Sequence, residues 1–297
     1  MAFNLGGGNS SAFASLQLSN AQDLLSQSLK RLSSGQRITS PADDPGGLAV
    51  SMRLKNSLTI TKVVQSNVEN AKSYTDTQDS ALESIANVVD RMSSIKSSYS
   101  SLLTSQSSEK ETYAVEFKEL SKTLAGFMKE TFNGISLFGE GGKVAAGDPS
   151  RSKVYTSASQ LESGVYLTMG NVSISGALTT SGGEELWSAT GTVGTAGDLS
   201  ISDVELTSLS GVVDNLATVR AEVGATSSRL GFASDFLGTS QSNLEAAYGR
   251  IMDVDVAEEA TNYAKYYVQT YAAAAALAQS NLNLGIVLDL LNSSNRS

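Results

Sequence analysis

The side chains that enzymes use most often for proton transfer and nucleophilic attack are scarce in this sequence of 297 residues. It contains no histidine and no cysteine, which excludes a histidine general base, a thiolate nucleophile and a cysteine zinc site. The serine-rich run at 97–101 therefore has no histidine to complete a triad. Residues 139–144 resemble a phosphate-binding loop, but the spacing is wrong and no Ser or Thr follows Lys143.

Carboxylates are the remaining candidates for a chemical site. Asp43 and Asp44 are adjacent, and adjacent residues do not face each other on a helix. Helix capping is the favoured role, because Asp44 precedes Pro45, which suits a first helical position. A second acidic cluster, without a calcium-loop pattern, comprises Asp253, Asp255, Glu258 and Glu259. We interpret it as solvated or interface charge, and we predict no catalytic, cofactor-binding or metal-ligating residue.

The net charge argues against two classes of partner. It is −9 at pH 7, and no cluster of Lys and Arg offsets it locally, so nucleic acid and anionic membranes would repel the chain. The apolar stretch from Ala272 to Ala278 is far too short to span a membrane. No basic segment precedes Lys30, so any export is expected to use a route without a cleaved signal.

Apolar residues at alternating three- and four-residue spacing dominate both halves of the chain. Only three prolines occur, and neither 46–148 nor 150–297 contains one. The spacing predicts a helix over 48–105 and another over 209–255, packed as a coiled coil. At ~1.5 Å per residue these helices would measure about 85 and 70 Å. A helical bundle without any polymer role fits the periodicity equally well.

The predicted core seam can be given residue by residue. In the first long helix it comprises Leu82, Ile85, Val89 and Met92, and it continues through Tyr99 and Leu103 with Lys96 as an interruption. In the second it comprises Leu216, Val223, Leu230, Leu237, Leu244 and Ile251. Polar residues at seam positions are Thr61, Thr75, Gln78, Thr226 and Ser240. They either weaken packing, so that rods can slide between registers, or represent tolerated surface polarity.

Amphipathic segments flank the long helices. The first carries an apolar stripe of Ala14, Leu18, Ala21, Leu25, Leu29 and Leu32 and stops at Gly35, which suits a left-handed cap. The last carries a stripe of Ala260, Ala264, Tyr267, Tyr271, Leu277, Leu284, Leu288 and Leu291. Both are thin for independent folding, so we expect them to be weakly ordered alone and helical in an assembly. Between the long helices, residues 165–169 and 172–174 alternate as in a β-hairpin.

Several strings, in this order, resemble the bacterial flagellin family. The N-terminal string is Leu-Lys-Arg-Leu-Ser-Ser-Gly-Gln-Arg-Ile-Thr-Ser at 29–40, extended by 42–44 and 46–49. Phe132-Asn133-Gly134 is similar to the family's turn after its second long helix. The C-terminal strings lie at 250–259, 277–281 and 287–291. The resemblance covers about 1–138 and 206–291.

The resemblance implies a mainly α fold: a long antiparallel coiled-coil rod, amphipathic terminal helices and a small hairpin-containing middle segment. Residues 1–45 and 256–297 would form an inner tube domain, 46–138 and 206–255 the rod, and 139–205 the variable Gly/Ser/Thr-rich middle. The protein would then be a secreted structural subunit of the extracellular flagellar filament, not an enzyme. The residues expected to serve filament assembly are Leu18, Leu25, Arg31, Leu32, Leu277, Leu284, Leu288 and Leu291.

The resemblance also implies partners. They are further copies of the chain, the flagellar type III export apparatus with a secretion chaperone, the filament cap and the hook-junction proteins. A vertebrate innate immune receptor recognises many flagellins at an arginine-centred segment, here around Arg91. Ile95 is kept, but Ser93 and Ser94 replace charged residues, so weak or absent receptor signalling is expected.

Two alternatives to a filament subunit remain at this point. A hook–filament junction protein shares the terminal helices and the string at 40–45, although the ending at 277–291 favours flagellin. A secreted enzyme or glycan-binding protein on a helical stalk would use the middle segment, which has no convincing catalytic pair.

Overall fold

The chain contains two compact units. The computed structural model describes residues 6–103, 105–138, 152–156, 167–169, 178–179, 186, 201–202 and 204–294. One unit comprises Met1–Leu58 with Ser242–Ser297, and the other comprises Thr59–Gln241. The terminal unit contains the ranges 1–45 and 256–297, together with 46–58 and 242–255.

Helices account for most of the described residues. They are α1 (Gly6–Ser34), α2 (Pro45–Ser101), α3 (Ser107–Phe127), α4 (Leu206–Met252) and α5 (Val256–Ser294). Within the described ranges, four short strands form two antiparallel pairs: β1 (Thr131–Phe132) with β2 (Ile135–Ser136), and β3 (Ser152–Val154) with β4 (Leu167–Met169). None of the described helices combines the length and hydropathy needed to cross a membrane.

The link between α1 and α2 has the start and stop signals that the sequence predicts. Gly35 follows α1 with a φ of 69°, and its N–H donates to the Arg31 carbonyl at 2.8 Å. Asp44 caps α2 through Oδ1, which accepts a hydrogen bond from the Gly47 N–H at 2.8 Å. With Pro45 as its first residue, α2 begins at the predicted place.

In the unit formed by 59–241, α2 and α4 contribute to one hydrophobic core. Their pairing is antiparallel, because Asp79 of α2 bonds Arg220 while Asp76, earlier in α2, bonds Ser227, later in α4. The predicted core residues of this unit are all buried: Leu82, Ile85, Val89, Met92, Leu216, Val223, Leu230 and Leu237. The other two, Leu244 and Ile251, are half-buried and belong to the terminal unit.

The predicted continuation of the seam to Leu103 is wrong. α2 ends at Ser101, and Leu103 is 72% exposed. The side chain of Gln106 accepts a hydrogen bond from the Leu103 N–H at 3.1 Å, and the Gln106 N–H donates back to the Leu103 carbonyl. This reciprocal turn ends the helix and starts α3, a separate helix that the sequence analysis did not distinguish.

A tight hairpin follows α3. Asn133 and Gly134 have φ angles of 49° and 79°, as a two-residue hairpin turn requires. Two polar groups on α2 hold the strand that follows this turn. The Tyr74 hydroxyl donates to the Ser136 carbonyl at 2.9 Å, and the Gln78 side-chain amide donates to the Leu137 carbonyl at 2.6 Å. Burial raises the pKa of the Tyr74 hydroxyl to about 12.

The polar seam residues are not all surface residues. Thr61, Thr75 and Gln78 are 3%, 2% and 2% exposed, so tolerated surface polarity is wrong for these three. Thr226 and Ser240 are half-buried. The interruption at Lys96 is also buried, and its Nζ donates to the Ile201 carbonyl at 2.7 Å.

The middle segment contributes few described residues. Residues 167–169 form a strand as predicted, and their described partner is 152–154. The predicted second hairpin strand at 172–174 lies outside the described residues. Leu178 and Leu186 are buried in the same core, and the Leu186 carbonyl accepts a hydrogen bond from Ser121 of α3 at 2.6 Å.

Candidate assembly surfaces

In the terminal unit, α1 and α5 pack against each other over much of their length. The Ser28 hydroxyl near the end of α1 donates to the Glu259 carbonyl in the first turn of α5 at 3.3 Å. The two helices therefore run antiparallel. Ser28 and Glu259 are 1% and 6% exposed, and Ala21 on the same side of α1 is 6% exposed. The apolar stripes of the two terminal helices therefore cover each other within one copy of the chain.

Arg31 and Glu259 form an ion pair at this contact, with Nη1 and Oε2 4.0 Å apart. The Nε of Arg31 is buried and has no hydrogen-bond partner in the described part of the chain. Glu259 is therefore not solvated charge, but part of the packing between two helices. Asp255 caps α5, since its Oδ1 accepts a hydrogen bond from the Ala257 N–H at 2.9 Å.

The predicted assembly residues on α1 lie on the side that meets α5. Leu18, Leu25, Arg31 and Leu32 are half-buried there, in line with Ala21 and Ser28. Leu29 was predicted on the same stripe but is 54% exposed. At ~100° per residue, Leu29 lies at the edge of the contact, so α5 does not cover it. A further face of α1 presents Phe13, Leu16 and Leu24 to solvent.

The predicted stripe of α5 divides into two faces. Leu277 is half-buried in line with Tyr266, Thr270 and Ala273, on the side toward α1. Tyr267 and Tyr271, predicted to share that stripe, are 45% and 64% exposed on another side of the helix. α5 includes Leu284, Leu288 and Leu291, whose side chains lie outside the described ones.

We call this exposed side of α5 the outward face. Its apolar members include Val256, Ala260, Ala264, Tyr267, Val268, Tyr271 and Leu282. Three tyrosines are aligned along it. The rings of Tyr263 and Tyr267 stack at 6.3 Å, and those of Tyr267 and Tyr271 meet edge to face at 4.8 Å. The hydroxyls of Tyr267 and Tyr271 are 3.1 Å apart, and this hydrogen bond raises the pKa of Tyr267.

The terminal helices also carry few charges. The sequence has no Asp, Glu, Lys or Arg at 266–288, and none at 6–22. An exposed helix face of this composition is unfavourable in free energy, because its apolar side chains stay in contact with water and are not packed against other apolar groups. The arrangement fits a surface that becomes covered.

A backbone bridge joins the end of α1 to the end of α4. The Arg37 N–H donates to the Met252 carbonyl at 2.6 Å, and the Val254 N–H donates to the Gly35 carbonyl at 3.1 Å. The Arg37 guanidinium caps α4, since Nε and Nη2 donate to the Ile251 carbonyl at 3.2 and 2.9 Å. No residue type at these positions indicates a backbone bridge, and the sequence analysis did not identify the capping role of Arg37.

Asp43 organises the turn between this bridge and α2. Its Oδ2 accepts hydrogen bonds from the Thr39 and Ser40 N–H groups, both at 3.0 Å, and its Oδ1 accepts one from Gln27 of α1 at 2.9 Å. The Thr39 N–H is the main cause that lowers the pKa of Asp43. The turn is therefore favoured above the ordinary pKa of 3.8, and this contribution is lost as the pH falls through the lowered value.

The segment around Arg91 lies on α2, in the unit of 59–241. The Arg91 side chain is 59% exposed, and Nε and Nη2 donate to Oε1 of Glu116 on α3 at 2.9 and 2.5 Å. Ile95 is 2% exposed and Met92 is fully buried. Ile95 is therefore part of the core, so Arg91 is the exposed member of this pair.

Two family models match this chain. One describes the bacterial flagellin N-terminal helical region and matches residues 9–141. The other describes the bacterial flagellin C-terminal helical region and matches residues 206–291. Together they span more than half of the chain, and they meet it on both sides of the middle segment.

Individual relatives agree with these models. A flagellar filament 30.7 kDa core protein of Treponema maltophilum is 26% identical over 293 residues, covering 95% of this chain and 98% of that one. A Bacillus subtilis protein described as a flagellin is 39% identical over 89 residues, covering 30% of this chain, whereas the match spans 56% of the relative. A solved Vibrio parahaemolyticus structure described as flagellar hook-associated has a TM-score of 0.57 at 17% identity, covering 71% of this chain and all of that one. This last likeness concerns the fold alone.

Proposed function

The chain belongs to the bacterial flagellin family, and on that premise we propose that it is secreted and polymerises into the extracellular filament that a bacterium uses for motility. The family is one of structural proteins, and related filament core proteins align over nearly the whole chain. The observation that carries the proposal is the exposed, uncharged outward face of α5.

The physical argument starts from what α1 and α5 leave uncovered. Packing on each other buries one side of each helix, whereas Phe13 and Leu16 of α1 and Val268 and Tyr271 of α5 remain more than half exposed. Apolar patches of this kind on two helices mark an interaction surface. The charge-poor sequence at 266–288 favours an occupant that is itself apolar. The terminal helices of further copies supply such a surface.

The first experiment removes one of the two helices. We expect deletion of 1–35 or of 262–297 to leave a soluble helical monomer that does not polymerise, measured by sedimentation and electron microscopy. A finer variant is Val268→Ser with Tyr271→Ser, since both side chains are exposed and their loss should spare the monomer. Gln269→Ser, exposed on the same turn, is the matched control. Filaments formed normally by either deletion would refute the proposal.

We infer that export uses the flagellar type III apparatus with a secretion chaperone, and that cap and hook-junction proteins contact the filament ends. The support is the membership of the chain in the bacterial flagellin family. Accumulation of the chain inside cells whose flagellar export is blocked would test this. Undiminished secretion from such cells would contradict it.

For recognition by a vertebrate innate receptor, we propose that Arg91 provides a weak contact. Its guanidinium is exposed but forms an ion pair with Glu116, and Ile95 is buried in the core. A receptor must therefore replace an existing ion pair to gain this arginine. We expect weak signalling by monomer in a reporter-cell assay and a further reduction on Arg91→Ala. Signalling as strong as that of a potent flagellin would contradict this.

A further inference from the structure

Two tyrosines on the outward face of α5 combine exposure with direct contact of their hydroxyl groups. Tyr267 is 45% exposed and Tyr271 is 64% exposed, and among the tyrosines that the structure describes these two are the exposed ones. The Tyr267 hydroxyl donates to the Tyr271 hydroxyl at 3.1 Å, and the ring centroids are 4.8 Å apart. Two phenols held in contact at a surface have the proximity that oxidative coupling of their rings requires.

The helix itself produces this contact. Residues four apart lie about 40° from each other around a helix and one turn apart along it, so their side chains meet. Ala264 and Ala275, one turn before and one turn after the pair, are exposed and small, so they leave the two rings uncovered. Tyr263 also stacks on Tyr267, but with a larger centroid distance of 6.3 Å. Tyr271 is therefore the nearer partner of Tyr267.

The hydrogen bond between the hydroxyls favours removal of an electron from Tyr267. A phenol gives up its hydroxyl proton when it loses an electron, and the Tyr271 oxygen is placed to accept that proton. The chain contains no cysteine, so no thiol of its own competes for the oxidant. Tyr74, by contrast, is 4% exposed and its hydroxyl donates to the Ser136 carbonyl, so a protein oxidant cannot reach it.

We propose that Tyr267 and Tyr271 form a site of oxidative modification, at which a peroxidase with hydrogen peroxide couples the two rings into a dityrosine within one copy of the chain. Each phenol loses one electron and one proton, and these two electrons and two protons reduce one hydrogen peroxide to two water molecules. The two phenoxyl radicals form a carbon–carbon bond between the ring carbons next to the hydroxyls. The hydrogen on each of these carbons then moves to the neighbouring oxygen, which restores both hydroxyls.

This modification goes beyond polymerisation, because it needs a single copy of the chain. The new bond joins residues one helical turn apart, so it reduces the conformational freedom of this segment when the helix unfolds. We therefore expect coupled α5 to keep its helical circular dichroism to a higher temperature than uncoupled α5.

The test treats dilute full-length monomer with a peroxidase and hydrogen peroxide. We expect dityrosine fluorescence and a peptide that contains both tyrosines and has lost two hydrogens, with the bond located by fragment masses. The particle should remain a monomer by sedimentation. The Y271F variant keeps the ring but lacks one hydroxyl, and it should couple Tyr267 about tenfold more slowly.

Two control variants separate the geometry of the pair from the mere presence of exposed phenols. Y271F/A272Y keeps the number of tyrosines but places the phenol about 140° around the helix from Tyr267, so it should also couple about tenfold more slowly. Y263F removes the hydroxyl of the stacked ring, and it should leave the rate within about twofold of the unchanged chain.

Four results would overturn the inference. They are an unchanged chain without dityrosine, a main product that links two copies, a Y271F/A272Y variant that couples as fast as the unchanged chain, and a Y263F variant that is slowed as much as Y271F. All four are measured on monomer, so they say nothing about polymerisation. A chain that formed no filaments would contradict the proposed function and leave the coupling result standing.

Discussion

Replacement of Leu230 by alanine tests whether the core seam of the unit formed by 59–241 is correctly identified. Leu230 is fully buried in the core that α2 and α4 share. The change removes three carbon groups, and at ~0.8 kcal/mol each the lost burial alone costs roughly 2.4 kcal/mol. The cavity that remains raises the expected loss to about 2–5 kcal/mol.

The matched control is the same chemical change at Leu103. The apolar spacing places Leu103 on the seam, whereas the structure leaves it 72% exposed after the end of α2. Leu103→Ala should therefore cost less than about 0.5 kcal/mol. The two variants share the same chemical change, so their difference in stability reports mainly the difference in burial.

The assay is urea unfolding of monomer below its critical concentration, followed by far-ultraviolet circular dichroism. Leu230→Ala should lower the urea midpoint, and Leu103→Ala should leave it in place. Leu237, 2% exposed, should behave like Leu230 when replaced by alanine. Equal shifts at Leu103 and Leu230 would refute the argument that burial, and not the three-four spacing alone, determines the energetic role.

Two other predictions concern polar side chains on the two long helices, α2 and α4. Burial raises the pKa of Tyr74 to about 12 from 10.0, so its stabilising contribution is full below pH 10 and is lost as the pH rises to 12. The Tyr74→Phe variant should therefore lose less stability over that range than the unchanged chain, with Tyr113→Phe as the control, and identical pH profiles would contradict this. Replacing Thr226 and Ser240 together by valine should change the filament waveform if these half-buried residues permit sliding between registers, and an unchanged helical pitch by electron microscopy would count against it.

The long helices and their caps could be predicted from the sequence because their causes are local. A three-four spacing identifies the buried side of α2 and α4. Asp44 and Pro45 predict the first residue of α2 to within four residues. The end of α2 could not be predicted in this way. It depends on a turn in which Leu103 and Gln106 form reciprocal hydrogen bonds. This turn does not change the apolar spacing of the sequence, but it leaves Leu103 exposed where the spacing predicts burial.

The assembly surfaces were harder, because α5 is apolar on more than one side. Leu277 faces α1, while Tyr267 and Tyr271 face outward, and the pattern alone does not say which side the other helix covers. Polar burial is equally invisible locally. Gln78 is stable in the core because the Leu137 carbonyl, 59 residues later, accepts its hydrogen bond.

The backbone bridge between Gly35–Arg37 and Met252–Val254 closes most of the chain into one loop. By loop-closure entropy alone, the cost grows as (3/2)RT ln n, so extending a loop of this size by about 100 residues adds only about 0.3 kcal/mol. Additional sequence in the middle segment therefore adds little to the entropic cost of closing the loop, provided that it does not disturb the bridge. Evolution can lengthen or replace that segment while the paired ends keep their geometry.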